Sequence, residues 1–165
     1  MRLVIGSIVI LSLIILFLFA LFPSTVSVTR MVQINSSEDK IMNNISDLRN
    51  WKRWNEFVNS PGIKKDPNSK TDSMRADYLR VDGNEIFLSV VDHDHVSTFW
   101  KRGNRMFTGL FIIDAKNGPP IVIWTMNFDI KWYPWEKLAS MFYDKQLGPL
   151  MEKSLIQLRN ELEKS

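Results

Sequence analysis

The chain has 165 residues, 45% of them apolar and 24% charged, with a net charge of +3 and no cysteine. That balance is ordinary for a globular chain, and the missing thiols exclude disulfides, thiol catalysis, Cys-zinc and iron–sulfur sites. The basic residues fall in small groups (Arg49, Lys52, Arg53; Lys64, Lys65; Lys101, Arg102, Arg105), which read as solvated faces and not as the dense stripe of a nucleic-acid binder.

Leu3 to Phe22 is an uncharged run, LVIGSIVILSLIILFLFALF, broken only by Gly6, Ser7 and Ser12. At about 1.5 Å per helical residue it matches the roughly 30 Å hydrocarbon core of a bilayer. A cleaved signal would have a shorter apolar region of about 7–15 residues and a small-x-small site after it. Leu21-Phe22-Pro23 is a poor site, so the run reads as a retained single-pass anchor over 1–23, followed by one domain over 24–165. Arg2 before the run favours a cytoplasmic N-terminus and an extracytoplasmic domain.

Val26, Val28, Val32 and Ile34 alternate as a strand beginning only a few residues after the anchor, leaving Pro23, Ser24 and Thr25 as linker. Ser36 or Ser37 then offers an N-cap, with Asp39 completing a capping box from Ser36. Ile41, Ile45 and Leu48 keep helical spacing, and Trp51 and Trp54 extend the apolar side into a short second helix. Pro61-Gly62 closes this region, and 64–71 reads as a polar loop. Strands are expected over Met74–Val81, Glu85–Val91, Val96–Lys101, Arg105–Ile113 and Ile121–Ile130. Turns at Asp82-Gly83-Asn84, Asp92 to His95, Arg102-Gly103-Asn104 and Asn117 to Pro120 separate them. Such short connections imply an antiparallel meander. Pro134 opens a helix carrying Leu138, Met141 and Phe142. Gly148-Pro149 is expected to interrupt it before the stripe Leu150, Met151, Leu155, Leu158, Leu162. The order implies an α+β layer architecture.

Two stretches, Val26–Trp54 (VSVTRMVQINSSEDKIMNNISDLRNWKRW) and Ile123–Glu163 with FYDKQLGPLMEKSLIQLRNELE at its end, resemble the START-like helix-grip superfamily, or SRPBCC. This superfamily includes polyketide cyclases/dehydrases and lipid-transfer proteins. The chain is particularly similar to bacterial members with one N-terminal transmembrane helix. It departs from them in Ser69–Val81, which lacks the glycine that relatives carry in the corresponding strand. The resemblance implies a curved antiparallel sheet of six or seven strands around a long C-terminal helix, with an apolar cavity between them. Candidate linings are Phe107 and Phe111, then Trp124, Met126 and Phe128 on the neighbouring strand, and Met141, Phe142 and Met151 from helices. Each of these residues taken alone is better explained as core filling.

Asp92-His93-Asp94-His95 holds both histidines, two apart on one strand face. With no further His or Cys available, the ligand number is inadequate for zinc, and no metal or cofactor is expected. No serine elbow, paired-carboxylate spacing or phosphate loop accompanies the histidines, so no catalytic residue is assigned. Trp132, Tyr133 and Trp135 flank Pro134 at a strand-to-helix junction; such rings suit headgroup depth at a membrane and equally suit a packed corner. The leading expectation is a monomeric, membrane-anchored domain binding a hydrophobic small molecule or lipid, with no nucleic-acid partner. A cyclase- or hydrolase-type enzyme using the same pocket, or an interaction domain with a filled core, are the alternatives.

Overall fold

Alternating apolar residues build one antiparallel sheet in the computed structural model, which describes residues 2–20, 24–59, 75–81, 83–116 and 118–164. Its strands are β1 (Thr25–Gln33), β2 (Tyr78–Val81), β3 (Asn84–Val91), β4 (His95–Arg102), β5 (Arg105–Asp114) and β6 (Ile121–Asp129). They lie in the order β1-β6-β5-β4-β3-β2, and every neighbouring pair is antiparallel. The hairpin turns at Gly83 and Gly103 use φ of +75° and +58°, which a Cβ would disfavour. Among the described residues there is no seventh strand. The expected Pro61-Gly62 stop and the polar loop at 64–71 lie outside the described residues, as do Asp82 and Asn117 of the turns.

Helices cover one face of this sheet. The expected capping box is not formed at α2 (Glu38–Ile45): Ser37, not Ser36, is the N-cap, and its hydroxyl makes no capping hydrogen bond. Glu38 and Asp39 instead place negative charge in the first turn, where the helix dipole favours it. Two single-turn helices follow, α3 (Trp51–Trp54) and α4 (Glu56–Asn59). The two indoles of α3 fill the middle of the sheet's inner face. Trp51 lies 5.2 Å from Trp54 and 5.6 Å from Phe111, which stacks on Trp124 at 4.8 Å between centroids. The Trp51 indole donates to the Ile45 carbonyl at 2.9 Å, so this deep aromatic keeps its polar atom satisfied.

α5 (Pro134–Ser140) has Pro134 in its first turn, as expected. The interruption expected at Gly148-Pro149 does not occur, because α6 (Tyr143–Glu163) runs unbroken for 21 residues with Pro149 inside it. Proline disfavours a helical predecessor largely by clashing with its Cβ, and Gly148 has none. The same bare position admits a side chain from β1: a Cβ on Gly148 would collide with the Arg30 guanidinium, with Cζ at 2.7 Å. Arg30 pairs there with Asp144 at 2.9 Å. Farther along α6, Met151, Leu155, Leu158 and Leu162 are buried against the sheet, while Leu150 is half-buried.

The apolar run at the N-terminus forms α1 (Arg2–Ala20), with exposed side chains from Val4 through Ile15. Its 19 residues correspond to about 28 Å, slightly less than the roughly 30 Å hydrocarbon core. Among the described residues no helix is long and apolar enough to cross a membrane. The expected transmembrane anchor over 1–23 is therefore not shown here.

Candidate functional site

Residues directly opposite one another in antiparallel strands share a face, so the inner surface of the sheet can be followed row by row. Ile86, Trp100, Phe107 and Phe128 form one row across β3, β4, β5 and β6. Towards the β4–β5 turn the next row is polar: Asn84 opposes Arg102, and Arg102 opposes Arg105. α3 and α4 cover the sheet's centre and α6 covers β1, which leaves the end carrying these two rows uncovered.

A cavity of about 480 Å³ lies there. Phe57 of α4, Trp100, Phe107, Met126 and Phe128 of the sheet, and Tyr143 and Leu147 of α6 form its apolar walls. The rings form a continuous surface. Trp100 and Phe107 stack at 5.6 Å, Phe107 and Phe128 lie 5.0 Å apart, and Tyr143 meets Phe128 edge-on at 5.0 Å. Arg102, Asn104, Arg105, Lys131 and Gln146 line its solvent-exposed side. Arg105 reaches across to the helices, donating to Glu136 and to the Tyr143 hydroxyl, both at 3.3 Å.

Of the candidate linings, Phe107, Met126 and Phe128 line this cavity, while Phe111, Trp124 and Met151 are fully buried in the core behind it. Met141 and Phe142 are exposed and do not line it, because they form the joint between α5 and α6, with Met141 capping the end of α5 and Phe142 the start of α6. Trp100, Phe57, Tyr143 and the two arginines were absent from the expectation. A usable signal was present: Arg102 shares the parity of Trp100, Arg105 shares that of Phe107, and the tight Gly103-Asn104 turn sets both arginines opposite each other.

Trp132 and Trp135 are 69% and 66% exposed, and Tyr133 sits between them with its ring parallel to that of Trp135 at 4.9 Å. This corner follows β6 directly. At the same end of the sheet β1 begins, with Thr25 opposite Asp129 and the Ile130 amide donating to the Ser24 carbonyl at 2.7 Å. α1 also touches α5. The exit of α1, the aromatic corner and the exposed side of the cavity therefore share one end of the domain.

The histidines lie at the opposite end of β4. His93 bonds Asp92 and His95 bonds Asp94, each at 2.8 Å. Donating a hydrogen bond to the Asp92 carboxylate holds the His93 pKa above its usual value, and Asp94 adds to the effect through its charge. Asp92 and Asp94 are correspondingly held low, first by their hydrogen bonds to His93 and His95. Asp92, Asp94 and His95 are close enough to face one ion, but they lie on the surface and away from the cavity.

A long C-terminal helix packed on an antiparallel sheet, with an apolar cavity between them, is a helix-grip-like fold. No protein-family model matches the chain, and comparison with curated proteins gives no significant match. Solved structures do match. A START superfamily protein from Mycobacterium smegmatis is similar at 16% identity and a TM-score of 0.52, over 84% of this chain and 97% of that one. The di-domain ARO/CYC BexL from the BE-7585A biosynthetic pathway gives 13% and 0.60, over 85% of this chain and 50% of its own length. A Staphylococcus aureus protein of unknown function gives 12% and 0.59, over 85% of this chain and 94% of that one. At such identities the likeness is one of fold.

Proposed function

We propose that this domain binds a hydrophobic small molecule or lipid in the cavity between the sheet and α6, and that α1 anchors it in a membrane. The observation carrying this reading is the shared location of three features: the apolar cavity, the exposed aromatic corner and the exit of α1. A cavity of about 480 Å³ is within the usual range for small-molecule sites. Exposed Trp rings beside it suit the headgroup region of a bilayer. A helix a few ångströms shorter than the bilayer core is accommodated by local thinning at a cost of fractions of a kcal/mol per ångström. The resemblance to START-like proteins agrees with a hydrophobic ligand. By the positive-inside rule, Arg2 directs the domain to the extracytoplasmic side.

The test is native mass spectrometry of the full chain isolated from its own membranes. A bound hydrophobic species should accompany the parent protein and be lost from Leu147→Trp, whose indole fills the cavity. Protein recovered from the soluble fraction would refute anchoring; identical ligand-free spectra for both proteins would refute the cavity reading.

A second reading, a cyclase-type enzyme, draws on the convergence of Arg105, Glu136 and the Tyr143 hydroxyl at the cavity. Such groups could polarise a carbonyl on a bound polyketide-like molecule. Tyr143→Phe would then retain binding and lose turnover.

A further inference from the structure

Two arginines facing each other across a strand pair need an explanation. Like charges directly opposite one another destabilise a sheet, yet Arg102 and Arg105 occupy the last cross-strand pair of β4 and β5. Both continue the inward parity of their strands, next to the row containing Trp100 and Phe107. Glu136 neutralises one of them, pairing with Arg105 at 3.3 Å. Arg102 has no ion-pair partner among the described residues, and neither has Lys131, which lines the same side of the cavity. Asp129 also borders the cavity, but it has the opposite parity to Phe128 and is exposed. Asn84, opposite Arg102, adds an amide donor.

We infer that Arg102 and Arg105 form a head-group subsite for an anionic amphiphile. The carboxylate or phosphate group sits between the two guanidinium forks, Lys131 adds a third positive charge, and the tail lies against Phe107, Phe128 and Met126. Guanidinium groups suit this task because their planar N–H pairs match the geometry of both oxyanions. The anion also relieves the repulsion across the strand pair, so the unpaired charge of Arg102 becomes part of the binding energy. Arg105 is pre-oriented by Glu136 and Tyr143, whereas Arg102 is free to turn towards the ligand. This assignment rests on the cavity reading and narrows its ligand class.

The experiment uses the full chain in nanodiscs of zwitterionic lipid, so the bilayer contributes no net anionic lipid. The probes are hexadecanoic acid, hexadecyl phosphate and neutral hexadecanol, each with a diazirine at the tail end, and labelled peptides are mapped. Both anionic probes should label the peptides containing Phe107 and Phe128. Arg102→Gln should reduce their apparent affinity by roughly 10- to 100-fold, the loss expected for a charge-assisted hydrogen bond, and leave hexadecanol unchanged. Arg102→Lys, which keeps the charge but loses the fork, should bind both anionic probes more tightly than Arg102→Gln and more weakly than the parent. A preference for one anionic probe identifies carboxylate or phosphate as the head group. Equal labelling by all three probes, or no response to Arg102→Gln, overturns the subsite and leaves the cavity reading standing. If no probe labels the cavity peptides, both fall.

Discussion

Gly109 is the position where the smallest chemical change should have the largest effect. It occupies the inner face of β5, opposite Thr98 on one side and Met126 on the other. A Cβ there would lie 2.6 Å from Thr98 Oγ1, 3.0 Å from Trp100 Nε1 and 3.5 Å from Trp124 Nε1. All three neighbours are buried, so none can turn away into solvent. A hydrogen-bonded relay runs through this spot. The Trp100 indole donates to Thr98 Oγ1 at 2.9 Å, and the Thr98 hydroxyl donates to the Gly109 carbonyl at 3.1 Å. Overpacking of this kind costs about 1–3 kcal/mol, and orphaning a buried indole N–H adds about 1–3 kcal/mol. The two overlap, so Gly109→Ala should destabilise the domain by roughly 2–4 kcal/mol. It should also displace Trp100 towards the cavity it lines, weakening ligand binding beyond the loss of stability. Urea unfolding monitored by tryptophan fluorescence gives the first quantity. Thr98→Ala removes the closest atom, so its combination with Gly109→Ala should cost less than the sum of the two single changes. A Gly109→Ala protein within about 0.5 kcal/mol of the parent, the ordinary range for an inconsequential substitution, would refute this packing argument.

Three other outcomes follow from the same structure. Changing Trp132 and Trp135 together to Ala should leave the melting temperature nearly unaltered, since both rings are exposed, and should weaken association with liposomes; unchanged association removes the corner from the membrane. Gly148→Ala should destabilise by about 1–2 kcal/mol through the Pro149 ring and the Arg30 guanidinium, and Arg30→Ala should relieve part of that loss in a double-mutant cycle; strict additivity would separate the two sites. In an NMR titration His93 should titrate above the usual value of about 6.5, and Asp92→Asn should lower its midpoint. Because the folded-state pKa is raised, the stabilisation linked to His93 is fully present below its unfolded pKa and disappears as pH rises through the folded one. An unchanged midpoint in Asp92→Asn would assign the shift elsewhere.

How much of this could be read from the chain depended on the range of the interaction. Val122, Trp124 and Met126 alternate, and glycine-bearing turns precede β3, β5 and β6, so β3 to β6 are recognisable from local pattern alone. The stripe on α6 was equally legible. Its continuity through Pro149 was not, because it depends on Gly148 being bare beside Arg30, a residue more than a hundred positions away. The cavity wall shows the same limit. Phe107 and Phe111 have one parity and similar chemistry, yet Phe111 is packed beneath Trp51 while Phe107 faces open space. Only the placement of α3 and α4 separates them. Leu138, Met141 and Phe142 keep helical spacing but are exposed. Charge grouping along the chain does not show the arginine pair; strand parity across the Gly103-Asn104 turn does.

The bond between Ser24 and Ile130 also determines how the domain responds to force. β1 is an edge strand, held to β6 along its length and joined to α1 at its first residue. Between Ala20 and Ser24 the chain can extend by at most roughly 14 Å. A lateral or outward pull beyond that slack acts directly on the first rung of the β1–β6 ladder. Loaded from one end, such a ladder opens rung by rung like a zipper instead of sharing the strain among all its bonds. The domain is consequently a stiff fitting under small displacements and a mechanical fuse under large ones. Peeling β1 away would withdraw Arg30 from Gly148 and uncover the apolar side of α6, so tension on the N-terminal helix would reach the interior through β1.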